Sequence, residues 1–201
     1  MAALEPDGSG YRSDGMRGGL PTDGDRNKRN LYSPAKRLCR FFCLSWGPMQ
    51  YWLMKSEPGA FSVDDLAARP KKTEPWDGIR NYQARNFMRD DMKRGDLVLF
   101  YHSSCPQPGI AGIAKISKTA YPDETQFDDS SKYYDPKATR DNPRWLNVDV
   151  TLVKKTRLIG IQELRSHPQL ASMQILRRGN RLSITPVSEA EWQFIMSLVD
   201  S

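Results

Sequence analysis

The apolar runs of this chain are short, and each stops at a polar or proline-bearing exit. Gln50-Tyr51-Trp52-Leu53-Met54 gives way to Lys55-Ser56-Glu57-Pro58, and Leu97-Val98-Leu99-Phe100-Tyr101 gives way to His102-Ser103 ahead of Pro106, Pro108 and Gly109. Proline fixes φ and lacks an N–H, so neither ladder can continue through it. Brief runs rich in aromatic and branched residues read as buried strands, and none approaches the roughly 20 apolar residues of a membrane helix. A chain built this way must assemble its core from several short elements, with polar groups gathered at strand ends.

The remaining elements follow the same pattern. Ile110-Ala111-Gly112-Ile113-Ala114-Lys115-Ile116 is expected to return as the hairpin partner of 96–103, its small residues marking a bend or the close approach of another backbone. Trp145 to Leu152 alternates with period two, placing Leu146, Val148, Val150 and Leu152 on one face. Arg181 to Pro186 forms a further strand. Ser62 and Asp65 form a capping box, with Phe61 and Leu66 as a hydrophobic staple; Ser188, Glu191, Val187 and Trp192 repeat the device at the C-terminal helix. Ala84, Phe87, Met88 and Met92 predict a helix from about Asn81 to Gly95, and Ile161 to Leu164 a shorter one. About five short strands interleaved irregularly with short helices give an α+β class with a small curved sheet or barrel. Residues 71–80 are expected as a loop. The long loop 121–143, carrying Tyr121, Phe127, Tyr133 and Tyr134 among six Asp/Glu, suits a lid.

Residues 1–30 are rich in Gly, Asp and Arg and cannot bury enough surface to offset the entropy of ordering, so they are expected to be disordered. Residues 31–48 include Arg37 to Trp46, which fits an amphipathic patch, a transit-peptide remnant or a non-native extension. Met49, directly before the first strand, is the expected native start. The net charge of +6 divides evenly, with eight Lys/Arg against five Asp/Glu in residues 1–48 and twenty-two against nineteen beyond, so the globular part is only mildly basic. Cys39 and Cys43 have helical spacing but no second ligand pair, and Cys105 is the core's one thiol, so no metal site and no disulfide framework are expected. Without a basic start followed by an apolar stretch, the chain reads as intracellular. No cofactor is implied.

The stretch Pro75 to Asn86 packs Trp76, Asp77, Gly78, Arg80, Asn81, Tyr82 and Arg85 into a loop running into a helix, where aromatic stacking and polar edge-reading meet. A flat polar ligand such as a nucleobase is held by that combination. Each residue also has a structural reading. Trp76 is either a stacking platform or a tryptophan plugging the core. Asp77 either accepts from an exocyclic amine or caps the following helix. Arg80 and Asn81 either contact phosphate and base edges or lock the loop.

Tyr51 to Pro58, Trp76 to Asn86, Phe100-Tyr101-His102-Ser103, Pro108 to Gly112, Tyr133-Tyr134-Asp135-Pro136 and Arg181 to Ile184 together closely resemble, in order, the EVE domain over residues 49–201. The resemblance implies a PUA-like fold, a small mixed β-barrel flanked by short helices, and kinship with YTH domains, which hold a methylated adenine in an aromatic cage. It implies a nucleic-acid partner carrying a modified base, methylated or hydroxymethylated cytosine in particular. By likeness to the YTH layout, Lys55-Ser56, Trp76-Asp77 and Tyr101-His102-Ser103 converge on one pocket.

Lys55 and Ser56 then face phosphate or base; Tyr101, His102 and Ser103 are ligand contacts or structural residues; Arg177, Arg178 and Arg181 track the phosphate backbone or form a solvated face. The expected function is a monomeric, non-catalytic reader without membrane contact, nuclear in a eukaryote and cytoplasmic in a bacterium. The alternatives are a PUA-like nuclease or base-processing enzyme using His102, Lys55 and Asp77 as acid and base groups, and a protein-interaction module. His102 and Cys105 do not form a dyad, because near neighbours in a strand and turn rarely meet face to face.

Overall fold

The computed structural model of the protein describes residues 48–199. The expectations for the first 48 residues, including disorder and the Cys39/Cys43 pair, therefore lie, but for Pro48, outside the described residues. Among those described, six strands form one sheet: β1 (Tyr51–Ser56), β2 (Thr73–Pro75), β3 (Leu97–His102), β4 (Gly109–Pro122), β5 (Leu146–Gly160) and β6 (Ile184–Val187). Four α-helices accompany them: α1 (Val63–Ala68), α2 (Tyr82–Asn86), α3 (Ile161–Ser166) and α4 (Glu189–Val199). The class is α+β, as expected.

The strands lie in the order β2-β5-β4-β3-β1-β6. Only β1 and β3 run parallel, with Ser56 opposite His102 at their shared end; every other neighbouring pair is antiparallel. The barrel is not closed. Its two edges are three-residue β2, ending at Pro75, and four-residue β6, which contains Pro186, so each lacks an N–H where a ladder would need one. Curvature comes instead from β4 and β5, whose pairing shifts register in four places. Both strands are twice the length the sequence pattern suggests, at 14 and 15 residues, and β2 falls within the stretch expected to be loop.

Core residues divide between the two faces of the sheet by simple alternation. Trp52, Met54, Val98 and Phe100 join Val148, Val150 and Leu152 on one face, covered by α1 and α2. Leu53, Leu99 and Tyr101 join Trp192 and Ile195 of α4 on the other. β1 and β3 are buried on both faces, which is why they read as continuous apolar runs rather than alternating ones. Trp52 anchors the first face through Nε1, which donates to buried Asp96 at 3.2 Å.

The helix caps follow the sequence. Ser62 accepts from the Asp65 N–H while Asp65 returns a bond to the Ser62 N–H, and Ser188 and Glu191 exchange the same pair. The helix expected from Asn81 to Gly95 is shorter: α2 passes into a π turn over Phe87–Asp91, in which the Met92 N–H reaches Phe87 O at 2.9 Å. Ala84, Met88 and Met92 remain buried in register. Gly112 permits the close packing of α1 on the sheet, since a Cβ there would sit 2.8 Å from Val63 Cγ2.

Candidate nucleic-acid interface

The parallel pairing of β1 and β3 brings two polar exits to one end of the sheet. The ladder runs one step past the strands, with Ser103 N–H donating to Ser56 O at 2.8 Å. Beside this end opens a cavity of about 870 Å³, within the range of small-ligand clefts. Its walls come from the β1 exit (Lys55, Ser56), the loop Trp76-Asp77-Gly78 and the β3 exit (Ser103, Ser104), and from Tyr133 and Arg181 at more distant points in the chain. Ser104 takes φ +54°, a strained value for a residue bearing a Cβ.

Trp76 is fixed at two points. Its N–H donates to Val148 O at 2.7 Å as the chain leaves β2, and its ring meets Phe100 edge to face at 5.3 Å. At 7% exposure it is chiefly a core residue, with a small part of its surface on the cavity. Asp77 stands exposed at the mouth and does not cap α2. Partial burial pushes its carboxyl up, with Asp123 and Glu74 adding repulsion that Arg80 only partly offsets. The cap is Asn81, whose Oδ1 accepts from Gln83 N–H at 2.9 Å and Ala84 N–H at 3.1 Å.

Arg80 lines the cavity, but its guanidinium is turned into the wall. Its Nε and Nη2 donate to Tyr133 O at 2.8 and 2.5 Å, Nη1 to Asp123 Oδ2 at 2.8 Å and to Ile79 O at 3.1 Å, and Nη2 also to Thr125 Oγ1 at 3.0 Å. All five guanidinium N–H groups are thereby used, the loop-locking arrangement that the sequence left open. Asp123 has no exposed surface. Burial alone would raise its carboxyl, but bonds from Thr125, Arg80 and the Gly78 N–H outweigh that and hold it below the ordinary range.

At the β1 exit, Lys55 Nζ lies 3.4 Å from Asn180 O, and partial burial lowers its ammonium pKa. Ser56 Oγ donates to Phe61 O at 2.6 Å, closing the turn ahead of α1. On β3, alternation separates the three expected contacts. Tyr101 points to the opposite face and is 2% exposed; its hydroxyl is pushed up to about 12 by burial and by Cys105. The structure therefore does not bring Tyr101 to the cavity. His102 is not part of the wall either: its Nε2 accepts from Val63 N–H at 3.1 Å, which requires the neutral ring with the proton on Nδ1, and burial favours that form. It serves the N-terminus of α1. Ser103 does line the cavity.

Of the three arginines, Arg181 reaches the rim. Arg177 donates to Ser172 O at 3.3 Å instead, and Arg178 is exposed away from the cavity wall. Sequence reasoning marked Tyr133 as part of the long loop and of a motif but gave it no place in the site, and it did not single out Asp123. That loop is pinned rather than loose. Buried Gln126 donates to Asp123 O and Trp145 O and accepts from the Arg144 and Trp145 N–H groups, and Trp145 Nε1 donates to Asp135 at 2.7 Å. A glutamine in so polar a stretch gives no local sign of burial, although the aromatic spacing did mark the loop as unusual.

Comparison with known proteins gives the family of the chain. The chain is 48% identical over 166 residues to human thymocyte nuclear protein 1, covering 74% of this chain and 73% of the relative. The crystal structure of human THYN1 protein in complex with 5-methylcytosine-containing DNA aligns with a TM-score of 0.71 at 46% identity, over 76% of this chain and 98% of that one. A crystal structure of a protein from Pseudomonas syringae aligns with a TM-score of 0.70 at 48% identity, over 74% and 98%. The EVE domain model matches residues 50–198, and with relatives this similar the chain belongs to the EVE domain family.

Proposed function

We propose that this protein is a non-catalytic reader of modified bases in DNA, accepting 5-methylcytosine into the cavity beside the β1 and β3 exits. The observation that carries the reading is the close structural match to human THYN1 in complex with 5-methylcytosine-containing DNA, which extends over nearly all of that chain. Local chemistry supports it. Asp77 offers an acceptor for the exocyclic amine of cytosine, Lys55 offers a donor for its ring acceptors, and Arg181 offers a cation at the rim. A duplex base reaches such a cavity only by leaving the stack.

A role without catalysis is supported by the site of His102, whose Nε2 lone pair is already engaged with Val63 N–H and so is not available as a base. A nuclear location is supported by the likeness to thymocyte nuclear protein 1. Among the described residues no helix is long and apolar enough to cross a membrane.

The test is binding to duplexes differing at one cytosine: unmodified, methylated or hydroxymethylated. One buried methyl contributes about 0.8 kcal/mol, or roughly fourfold in affinity, so a modest but reproducible preference is expected. Equal affinity for all three duplexes would end this reading.

A further inference from the structure

We propose that Tyr133 is the surface on which the extruded base stacks, and that Arg80 is the positioning residue that holds it there; this rests on the base-reading function above. The cavity has three aromatic residues in its wall, and two are unsuited to stacking. Trp76 is 7% exposed and packed in a T-shaped contact with Phe100, so it offers too little open surface to stack a base. Phe61 packs against the core, its ring centroid 6.5 Å from that of Phe100. Tyr133 remains, half-buried, with a hydroxyl that has no protein partner among the described residues.

The ring is held with unusual economy of parts. Gly78 takes φ +72°, and a Cβ built on it would lie 2.5 Å from Tyr133 Cζ and 2.7 Å from Cε2. The hydroxyl end of the ring therefore sits directly over the Trp76-Asp77-Gly78 turn, beside the candidate amine acceptor Asp77. From behind, Arg80 grips the Tyr133 carbonyl with two N–H groups and places its guanidinium 5.3 Å from the ring centroid. Asp123 joins the two partners, accepting from Arg80 and from the Gly78 N–H at 3.0 Å. The turn below the ring and the segment carrying it are thus tied to one buried carboxylate. Lys132 Nζ lies 4.8 Å from the ring on an exposed side chain, able to swing from the ring to a phosphate.

The experiment is fluorescence anisotropy with methylated and unmodified duplexes, using the wild-type chain, Tyr133→Phe, Tyr133→Ala and Arg80→Gln, each first shown to be folded by circular dichroism. Loss of one stacked base corresponds to at least about fivefold in affinity. Tyr133→Ala is expected to lose that much on the methylated duplex, with Tyr133→Phe restoring it to within about threefold. Arg80→Gln is expected to weaken the methylated complex while leaving the slope of log affinity against log salt unchanged, whereas a phosphate contact would lower that slope by about one.

If the wild type prefers the methylated duplex and Tyr133→Ala binds it within twofold of wild type, the stacking role is overturned. If Arg80→Gln lowers the salt slope by about one, the positioning role is overturned. Should the wild type show no preference at all, it is the base-reading function that has failed, and the two failures are distinct. If Arg80→Gln does not fold, the Tyr133 pair still decides.

Discussion

Asp123→Asn tests the central claim that one buried carboxylate holds the pocket wall together. The carboxylate accepts four bonds: from Gly78 N–H at 3.0 Å, Arg80 Nη1 at 2.8 Å, Thr125 N–H at 2.9 Å and Thr125 Oγ1 at 2.6 Å. Asparagine has nearly the same shape but a single acceptor oxygen. If that oxygen keeps the two Thr125 bonds, the amide NH₂ must face the Gly78 N–H and the Arg80 guanidinium, donor against donor. Removing one member of a buried ion pair typically costs 3–5 kcal/mol; because the Arg80 side chain is 21% exposed, water recovers some of this, and about 3 kcal/mol is expected. For a domain of this size that lowers Tm by about 6–12 °C.

The acid limb should change as well. Because the folded pKa of Asp123 is depressed, its contribution is present above the unfolded value of about 3.9 and is lost as pH falls through the folded one. The variant should therefore lose this component of acid destabilisation. Urea denaturation at neutral pH and across the acid range measures both effects. A variant within about 0.5 kcal/mol of wild type at pH 7 would refute the view of Asp123 as the anchor.

Three further outcomes are expected. Gly78→Ala should cost about 1–3 kcal/mol from the positive φ alone and should also displace the Tyr133 ring, so that thermal melting and duplex binding both suffer. Arg181→Ala, at an exposed residue without a protein partner among the described residues, should weaken methylated and unmodified duplexes alike and lower the salt slope by about one, as measured by titration at several salt concentrations. Asp77 accepts from an amine more strongly as the carboxylate than as the neutral acid, and its carboxyl is raised; affinity should therefore begin to fall, as pH decreases, at a value above the usual 3.9, and Asp77→Ala should abolish that fall in a binding profile against pH.

Much of the frame is legible in the sequence because the signals are local. The capping boxes at Ser62 and Ser188 need only neighbours within one turn, and the burial of β1 and β3 on two faces is written in their unbroken apolar runs. The polar exits at Lys55-Ser56 and Ser103 were likewise visible, and the parallel register brings them together. What was not legible depends on partners distant in the chain. Three-residue β2 has no periodicity and exists because Thr73, Glu74 and Pro75 find Thr151, Val150 and Asp149.

The site residues show the same division. Tyr101 and His102 share a polar exit in sequence, yet a period of two sends the first to the opposite face, and the backbone N–H of Val63 takes up the second. Arg80 has the composition of a ligand contact but is absorbed by acceptors some forty to fifty residues away. Tyr133 enters the wall through bonds that no local pattern announces.

The parallel pair carries a consequence for how this fold can diversify. Because β1 and β3 leave the sheet at the same end, the intervening crossover of residues 57–96 must depart from that end and return to the opposite one, and it delivers α1, Trp76, Asp77 and α2 on the way. Most of the sheet's ladder lies outside this segment, in the pairs β1–β3, β3–β4, β4–β5 and β1–β6. Changes of length or composition within the crossover can therefore reshape the chamber while the strand register stays fixed. A family built on this plan can change what it recognises by exchanging one connection, and grafting that connection between members should transfer preference more readily than point substitution.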